Sequence, residues 1–85
     1  MTYNNDRDRT KRVAILIETG VEDAEFTVPY NALKMAGFDV VVLGSRMNST
    51  YVGKQGKLSQ KPDATTTESR PEEFDAVVIP GGMAP

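Results

Sequence analysis

The fold of this chain is decided by residues 12–20, RVAILIETG. The run from Arg12 to Ile17 is apolar after its first residue and rich in β-branched side chains, and Thr19 and Gly20 then supply a turn. An apolar run without polar alternation is typical of a strand in a parallel sheet that is covered on both faces. We therefore predict a strand at residues 12–17 that is buried on both sides.

The next segment, residues 23–36, is predicted to form a helix. Phe26, Tyr30 and Leu33 recur at helical spacing, and Gly37 is the kind of residue that ends helices in the left-handed conformation. The helix is followed at once by another apolar run, residues 38–43, which predicts a second buried strand. Strand, helix and strand within about 30 residues form a βαβ unit, which implies a parallel sheet.

Pro29 falls several residues inside the predicted helix. A proline there removes one amide donor and collides with the carbonyl oxygen four residues earlier, which belongs to Glu25. We therefore expect the first turn of the helix to be kinked or loosely attached.

The second half of the chain has weaker patterns. The polar residues 45–63 surround short runs at 51–52 and 57–59, which predicts an irregular β-hairpin at a sheet edge. Residues 65–67 are predicted as a loop. The spacing of Ser69 and Glu72 is that of a capping box, which predicts one helical turn, and residues 74–79 are predicted as a third buried strand.

Composition limits the function classes that this chain can serve. Its 85 residues correspond to one small domain or part of a larger one, and a net charge of −2 without basic clusters argues against nucleic acid and anionic membranes as partners. With neither Cys nor His, these residues contain no usual zinc site, thiol nucleophile or imidazole base. The polar residues 1–11 are predicted to be a disordered lead-in without a secretion signal, and the protein is predicted to be cytoplasmic.

Ligands of open parallel sheets bind outside the carboxyl ends of the strands, and two loops of this chain fall there. The first, residues 18–25, carries carboxylates in place of the spaced glycines of a phosphate-binding loop. Either Glu22, Asp23 and Glu25 only cap the helix and complement its dipole, or Glu25 has a further role at the proline kink. A carboxyl partly buried there would have a raised pKa and exchange a proton with a neighbouring group.

The second loop, residues 80–83, contains Gly81 and Gly82 directly after the third predicted strand. It is either a plain glycine turn or a place where a substrate approaches main-chain amides closely, as an oxyanion hole requires. The sequence of this loop leaves both readings open.

Several motifs together resemble the N-terminal half of the PfpI (ThiJ/PfpI) family, in the class I glutamine-amidotransferase-like superfamily. They are VEDAEF at 21–26 with the following Pro29, Ala36-Gly37 before the second strand, PEEFDAV at 71–77 and VIPGG at 78–82. The resemblance covers residues 11–85. It implies a flavodoxin-like α/β fold, a parallel sheet flanked by helices, in which residues 12–85 form the N-terminal half and stop before the nucleophile elbow.

The resemblance also implies roles for four residues. Members of the family use a cysteine nucleophile, usually followed by a histidine, and both would lie beyond this chain. A carboxylate of the first loop hydrogen-bonds the thiol, which maps to Glu25, with Glu22 lining the neighbourhood. The amide that contributes to the oxyanion hole maps to Gly82, and Gly81 is needed for the turn.

The activity implied by the resemblance is that of a cysteine-dependent hydrolase without cofactor or metal. Peptides or small carbonyl compounds are the expected substrates, for a peptidase, an amidase or a glyoxal-adduct deglycase with glyoxalase-like activity. The expected partners are the C-terminal half of the same fold and further copies in a homo-oligomer, and the 85-residue chain alone is expected to be inactive. The alternatives are a non-enzymatic, stress-associated binding or chaperone-like module and a separate chain whose partner completes the sheet.

Overall fold

The computed structural model describes residues 10–81. Its elements are β1 (Arg12–Leu16), α1 (Asp23–Met35), β2 (Asp39–Gly44), β3 (Tyr51–Val52), β4 (Ser59–Gln60), β5 (Ala64–Thr65) and β6 (Ala76–Val78), with a 3₁₀ turn at Pro71–Glu73 before β6. The predicted lead-in, apart from its last two residues, and the predicted role of Gly82 lie outside the described residues. None of the helices within residues 10–81 has the length and apolar character needed to cross a membrane.

A four-stranded sheet in the order β5-β2-β1-β6 forms the centre of the structure, and all its pairings are parallel. β1 is paired on both sides, with Val13 opposite Val40 of β2 and Ala76 of β6. The predicted α/β class with a parallel sheet is confirmed. The burial predicted for β1 and β2 is confirmed too, since Ala14, Ile15 and Val42 are fully inaccessible to solvent.

Helix α1 covers one face of this sheet. Phe26 is buried, and Tyr30 and Leu33 pack beside it against the same cluster, so the predicted apolar face is confirmed. The cluster also contains residues of the sheet, of the loop between β1 and α1 and of the hairpin, namely Ile15, Ile17, Val21, Val40, Val42 and Tyr51. The helix ends as predicted, because Gly37 has a φ of 93° and thus adopts the left-handed conformation that favours glycine.

Pro29 does not interrupt α1, which is continuous from Asp23 to Met35. The expectation of a loosely attached first turn is wrong. The Asp23 side chain in that turn is buried and accepts three backbone hydrogen bonds from the segment between β3 and β4. Contacts made outside the helix therefore compensate for the amide that the proline lacks.

The predicted β-hairpin exists, but it does not lie at the edge of the main sheet. β3 and β4 pair antiparallel in a separate two-stranded sheet. This hairpin sits on the loop between β1 and α1, where Gly20 N–H donates to Val52 O at 3.0 Å and Lys54 N–H donates to Val21 O at 2.8 Å. Backbone groups of the loop thus replace a sheet edge as its partner.

The sheet edge beside β2 is instead formed by β5, within a segment predicted partly as a loop. Asp63 directs this segment, because its N–H donates to Val42 O at 2.7 Å while its carboxylate accepts Val42 N–H at 2.8 Å. Gly44 then pairs with Thr65. The prediction of a loop from residue 65 onward was therefore wrong at Thr65.

The approach to β6 also differs from its prediction. One helical turn forms, but it is a 3₁₀ turn at Pro71–Glu73 without a side-chain cap, and Ser69 donates its hydroxyl to Thr65 O at 2.9 Å. The capping-box interpretation was therefore wrong.

β6 is exposed in the part of the chain that the structure describes, whereas a buried strand was predicted. Within residues 10–81 it pairs only with β1, and the side chains of Val77 and Ile79 are 51% and 74% exposed. Burial depends on the neighbours that a strand acquires as well as on its own apolar composition, and this strand has a single one.

Arg12 and the segment leading into β6 hold that strand against β1. Arg12 N–H donates to the Asp75 carboxylate at 2.8 Å, and Asp75 N–H donates back to Arg12 O at 2.8 Å. The Arg12 guanidinium lies 5.2 Å from the centre of the Phe74 ring and contacts Asp39 at 3.1 Å. These contacts set the register in which the loop after β6 arrives beside the loop after β1.

Candidate functional site

The loops that follow β1 and β6 meet at the carboxyl edge of the sheet. They border a mainly apolar pocket of about 220 Å³ that also reaches the end of β2. Its lining includes Ile17, Thr19, Gly20, Leu43, Ile79 and Gly81. The two loops singled out from the sequence therefore face the same space.

Gly81 joins the two loops by a reciprocal pair of hydrogen bonds. Its N–H donates to Oε1 of Glu25 at 2.8 Å, and its carbonyl oxygen accepts the N–H of Glu22 at 3.0 Å. Three of the four predicted site residues are thus brought together, although Gly81 and Glu25 are 56 positions apart in the chain.

Close approach explains why residue 81 is a glycine. A Cβ atom built on Gly81 would overlap Oε1 of Glu25 and lie 3.1 Å from the carboxyl carbon of that side chain. Its φ is not positive, since the positive-φ glycines within residues 10–81 are Gly20, Gly37 and Gly56. The glycine therefore serves the contact with Glu25 rather than a left-handed turn.

Glu25 is exposed, so the partial burial on which its expected proton exchange depended is not found. Its Oε1 accepts the Gly81 amide, and among residues 10–81 its Oε2 has no hydrogen-bond partner. An N–H group can only donate, so this bond makes Oε1 an acceptor and leaves Oε2 for another group.

Glu22 contacts a cation that sequence reasoning missed. Its Oε1 is buried and lies 3.0 Å from Nζ of Lys54, which belongs to the hairpin. Apart from this ion pair, the oxygen has no polar partner within residues 10–81, so the Lys54 ammonium group is what compensates its negative charge. Nothing in the spacing of Glu22 and Lys54, 32 positions apart, indicates the pair.

Asp23 does not cap the helix as one interpretation of the sequence had it. Its buried carboxylate accepts N–H groups of Gln55 at 2.6 Å, Leu58 at 2.8 Å and Lys57 at 2.9 Å. These bonds, with that from Gln55 foremost, hold the pKa of the Asp23 carboxyl below its ordinary value of 3.8, while burial opposes them. Asp23 therefore anchors the hairpin turn to the first turn of α1.

This anchor predicts a loss of hairpin order in acid. Because the folded state lowers the pKa of Asp23, the carboxylate stabilises the hairpin fully above pH 3.8, and this contribution disappears as the pH falls through the lower folded value. Amide hydrogen exchange of Gln55, Lys57 and Leu58 should accelerate below that pH while the amides of β1 stay protected. Asp23→Asn should show exchange at these three amides faster by at least roughly tenfold already at neutral pH. Unchanged exchange in that variant would contradict the anchor.

Within residues 10–81 no group of three or more Asp, Glu, His or Cys side chains is arranged to hold a metal ion. The polar groups of the site are instead one carboxylate paired with a cation, one carboxylate with an unengaged oxygen and a main-chain amide. This set contains neither a thiol nor an imidazole, since the sequence has no Cys and no His.

Comparison with known proteins assigns this arrangement to a family. The model of the DJ-1/PfpI family matches residues 11–85, which include every site residue described above. The chain belongs to the DJ-1/PfpI family. The resemblance inferred from the motifs is thereby confirmed.

Relatives in the DJ-1/PfpI family show how much of its fold is covered here. An uncharacterized protein of Staphylococcus aureus strain Mu50 is 45% identical over 76 residues, which are 89% of this chain and 44% of that protein. A two-domain protein of Anabaena variabilis, with DJ-1/ThiJ/PfpI-like and ferritin-like domains, is 69% identical with a TM-score of 0.85 over 87% of this chain and 22% of that one.

A DJ-1 superfamily protein of Salmonella typhimurium, solved as a cysteine-to-alanine mutant, is 34% identical with a TM-score of 0.75. There the match covers 86% of this chain and 39% of the other. This chain therefore spans less than half the length of each of these relatives.

Proposed function

We propose that this chain supplies the acid and the amide donors of a cysteine-dependent active site of the PfpI type. The observation that carries the proposal is the 2.8 Å hydrogen bond from Gly81 N–H to Oε1 of Glu25. It holds a carboxyl group at the carboxyl edge of the sheet with Oε2 unengaged by residues 10–81. This is where open parallel sheets carry their chemistry.

In the proposed mechanism the nucleophilic cysteine, usually followed by histidine, comes from the remainder of the complete protein. Oε2 of Glu25 hydrogen-bonds the thiol and orients it, because a thiol needs a nearby hydrogen-bonding or charged group to be tuned for attack. The tetrahedral intermediate develops negative charge on oxygen, and the amide of Gly82 donates to it. That a Salmonella typhimurium relative was solved as a cysteine-to-alanine mutant agrees with a thiol at such a site.

The substrate class we propose is a small carbonyl compound of the glyoxal type or an adduct formed from one, and amides and peptides are the alternative. The pocket beside Gly81 supports a small substrate, because its volume of about 220 Å³ is below the usual range for drug-sized ligands. Its mainly apolar lining offers few groups that would bind a highly charged molecule.

We further propose that the remainder of the fold pairs with β6 and that the complete protein is a cytoplasmic homo-oligomer. β6 has one neighbour within residues 10–81 and exposes Val77 and Ile79. Val28 and Met35 on the outer side of α1 are 65% and 88% exposed, and apolar side chains in such positions are available to a second copy.

The direct test is Glu25→Gln in the complete protein, assayed for methylglyoxal consumption and for peptide cleavage. Glutamine keeps the acceptor oxygen for Gly81 N–H but replaces Oε2 by an amide nitrogen that cannot accept a hydrogen bond from the thiol, so turnover should fall at least roughly tenfold with little change in the melting temperature. Undiminished activity would remove Glu25 from the mechanism.

A second candidate function is a non-enzymatic binding or chaperone-like module of the same fold. The apolar side chains exposed on the outer side of α1, above all Met35 at 88%, favour this alternative because they offer a surface to other chains. Sequencing the complete gene separates the two functions. An Ala-x-Cys-His-Gly-like stretch after a further apolar strand supports the enzyme, and another residue at the cysteine position supports the binding module.

A further inference from the structure

Two carboxylates of one loop lie beside Gly81, and each has a different partner. Glu25 accepts the Gly81 amide at 2.8 Å, whereas Glu22 pairs with Nζ of Lys54 at 3.0 Å. The backbone of Glu22 also contacts Gly81, through the 3.0 Å hydrogen bond to its carbonyl oxygen. Glu22 therefore contacts this glycine through its backbone, and Glu25 contacts it through its side chain.

The backbone of Lys54 is held in place before its side chain makes any contact. Its N–H donates to Val21 O at 2.8 Å, and the preceding Gly53 N–H donates to Leu58 O at 3.1 Å within the hairpin. The Asp23 carboxylate fixes the turn that follows. A lysine on a fixed backbone loses less conformational freedom on pairing, so this ion pair differs from a typical mobile surface pair.

We propose that Lys54 is a positioning residue that engages Glu22 and thereby leaves Glu25 as the carboxylate bound to the Gly81 amide. The proposal rests on the function proposed above, in which Glu25 orients the nucleophile. The physical reason is competition, because both side chains are hydrogen-bond acceptors and Gly81 offers one N–H.

Removing the ammonium group leaves the buried Oε1 of Glu22 without a partner among residues 10–81. A buried, unsatisfied carboxylate oxygen is costly, so the side chain moves toward a donor. The Gly81 amide is such a donor, and it belongs to the residue whose carbonyl oxygen the backbone N–H of Glu22 already binds at 3.0 Å. In the proposal, occupation of this amide by Glu22 displaces Glu25.

The test uses the complete protein with Lys54→Met, and with Lys57→Met as the matched control. Lys57 lies in the same hairpin, and its side chain makes no ion pair within residues 10–81. The first measurement is the ¹H–¹⁵N resonance of the Gly81 amide, which reports its acceptor whether or not the protein is catalytically active. Lys54→Met should move this resonance, and Lys57→Met should leave it in place.

Two further variants separate positioning from a purely structural ion pair. Lys54→Arg, which retains the cation, should restore the wild-type Gly81 resonance, and Lys54→Met combined with Glu22→Gln should give the resonance of Glu22→Gln alone. In turnover assays, Lys54→Met should lower kcat roughly tenfold with KM changed less than about twofold.

A Gly81 resonance that stays in place in Lys54→Met, even with a lowered melting temperature, would overturn the proposal and leave Lys54 with a structural role. Absence of turnover in the wild-type protein would instead refute the proposed function. The amide resonance would still decide the role of Lys54, so the two failures are distinguishable.

Discussion

Replacing Gly81 by alanine is expected to lower kcat/KM of the complete protein at least about a hundredfold. The new Cβ overlaps Oε1 of Glu25 and lies 3.1 Å from the carboxyl carbon, so Glu25 must leave the Gly81 amide. The carboxylate and the amide both remain in the protein, and only their mutual position changes.

The matched control for this variant is Gly37→Ala at the end of α1. Gly37 has a φ of 93° and open space where the methyl group of alanine would lie, so this substitution adds backbone strain without a clash. This control should lose about 1 kcal/mol of stability and keep its kcat/KM within about twofold. Near-wild-type kcat/KM in Gly81→Ala would show that the contact between Glu25 and Gly81 is not needed for turnover.

Replacing Phe26 by alanine is expected to reduce the free energy of unfolding by about 3–5 kcal/mol. Phe26 is 1% exposed, and its ring stacks on Tyr30 with 5.5 Å between the ring centres. Truncation leaves a cavity between α1 and the sheet that surrounding side chains fill only in part. Since Phe26 follows Glu25 directly, loosening of this contact also weakens the support of the site.

Urea unfolding of the complete protein measures the effect, with Val28→Ala as the matched control. Val28 lies on the same helix but is 65% exposed, so its truncation should change the free energy of unfolding by no more than about 0.5 kcal/mol. Equal losses in the two variants would mean that the apolar face of α1 is not what attaches the helix to the sheet.

Local patterns predicted the part of the fold that depends on periodicity. The apolar runs of β1 and β2, and the helical spacing of Phe26, Tyr30 and Leu33, report burial directly, so these elements were predicted correctly. β5 is only two residues long and is directed by the backbone and side-chain bonds of Asp63. A strand that depends on such contacts has no pattern of its own, and sequence reasoning placed a loop across its second residue.

For the candidate site, the sequence indicated which loops meet at the carboxyl edge of the sheet but not which partner each side chain contacts. Glu22, Glu25 and Gly81 were selected from strand-end position and motif, and the structure places all three together. The contacts of Asp23 and Lys54 were missed, because their partners lie more than 30 positions away in the chain. Contacts of that kind leave no regular spacing in the sequence.

By itself, the sequence determined the βαβ core, the family and the two loops at the carboxyl edge of the sheet, since apolar periodicity and short motifs act locally. Only the tertiary structure showed that Glu25 approaches Gly81 too closely for a Cβ atom, that β6 has a single neighbour within residues 10–81, and that Glu22 and Glu25 have separate partners. These features depend on contacts between residues that are far apart in the sequence, and only the folded chain brings such residues together.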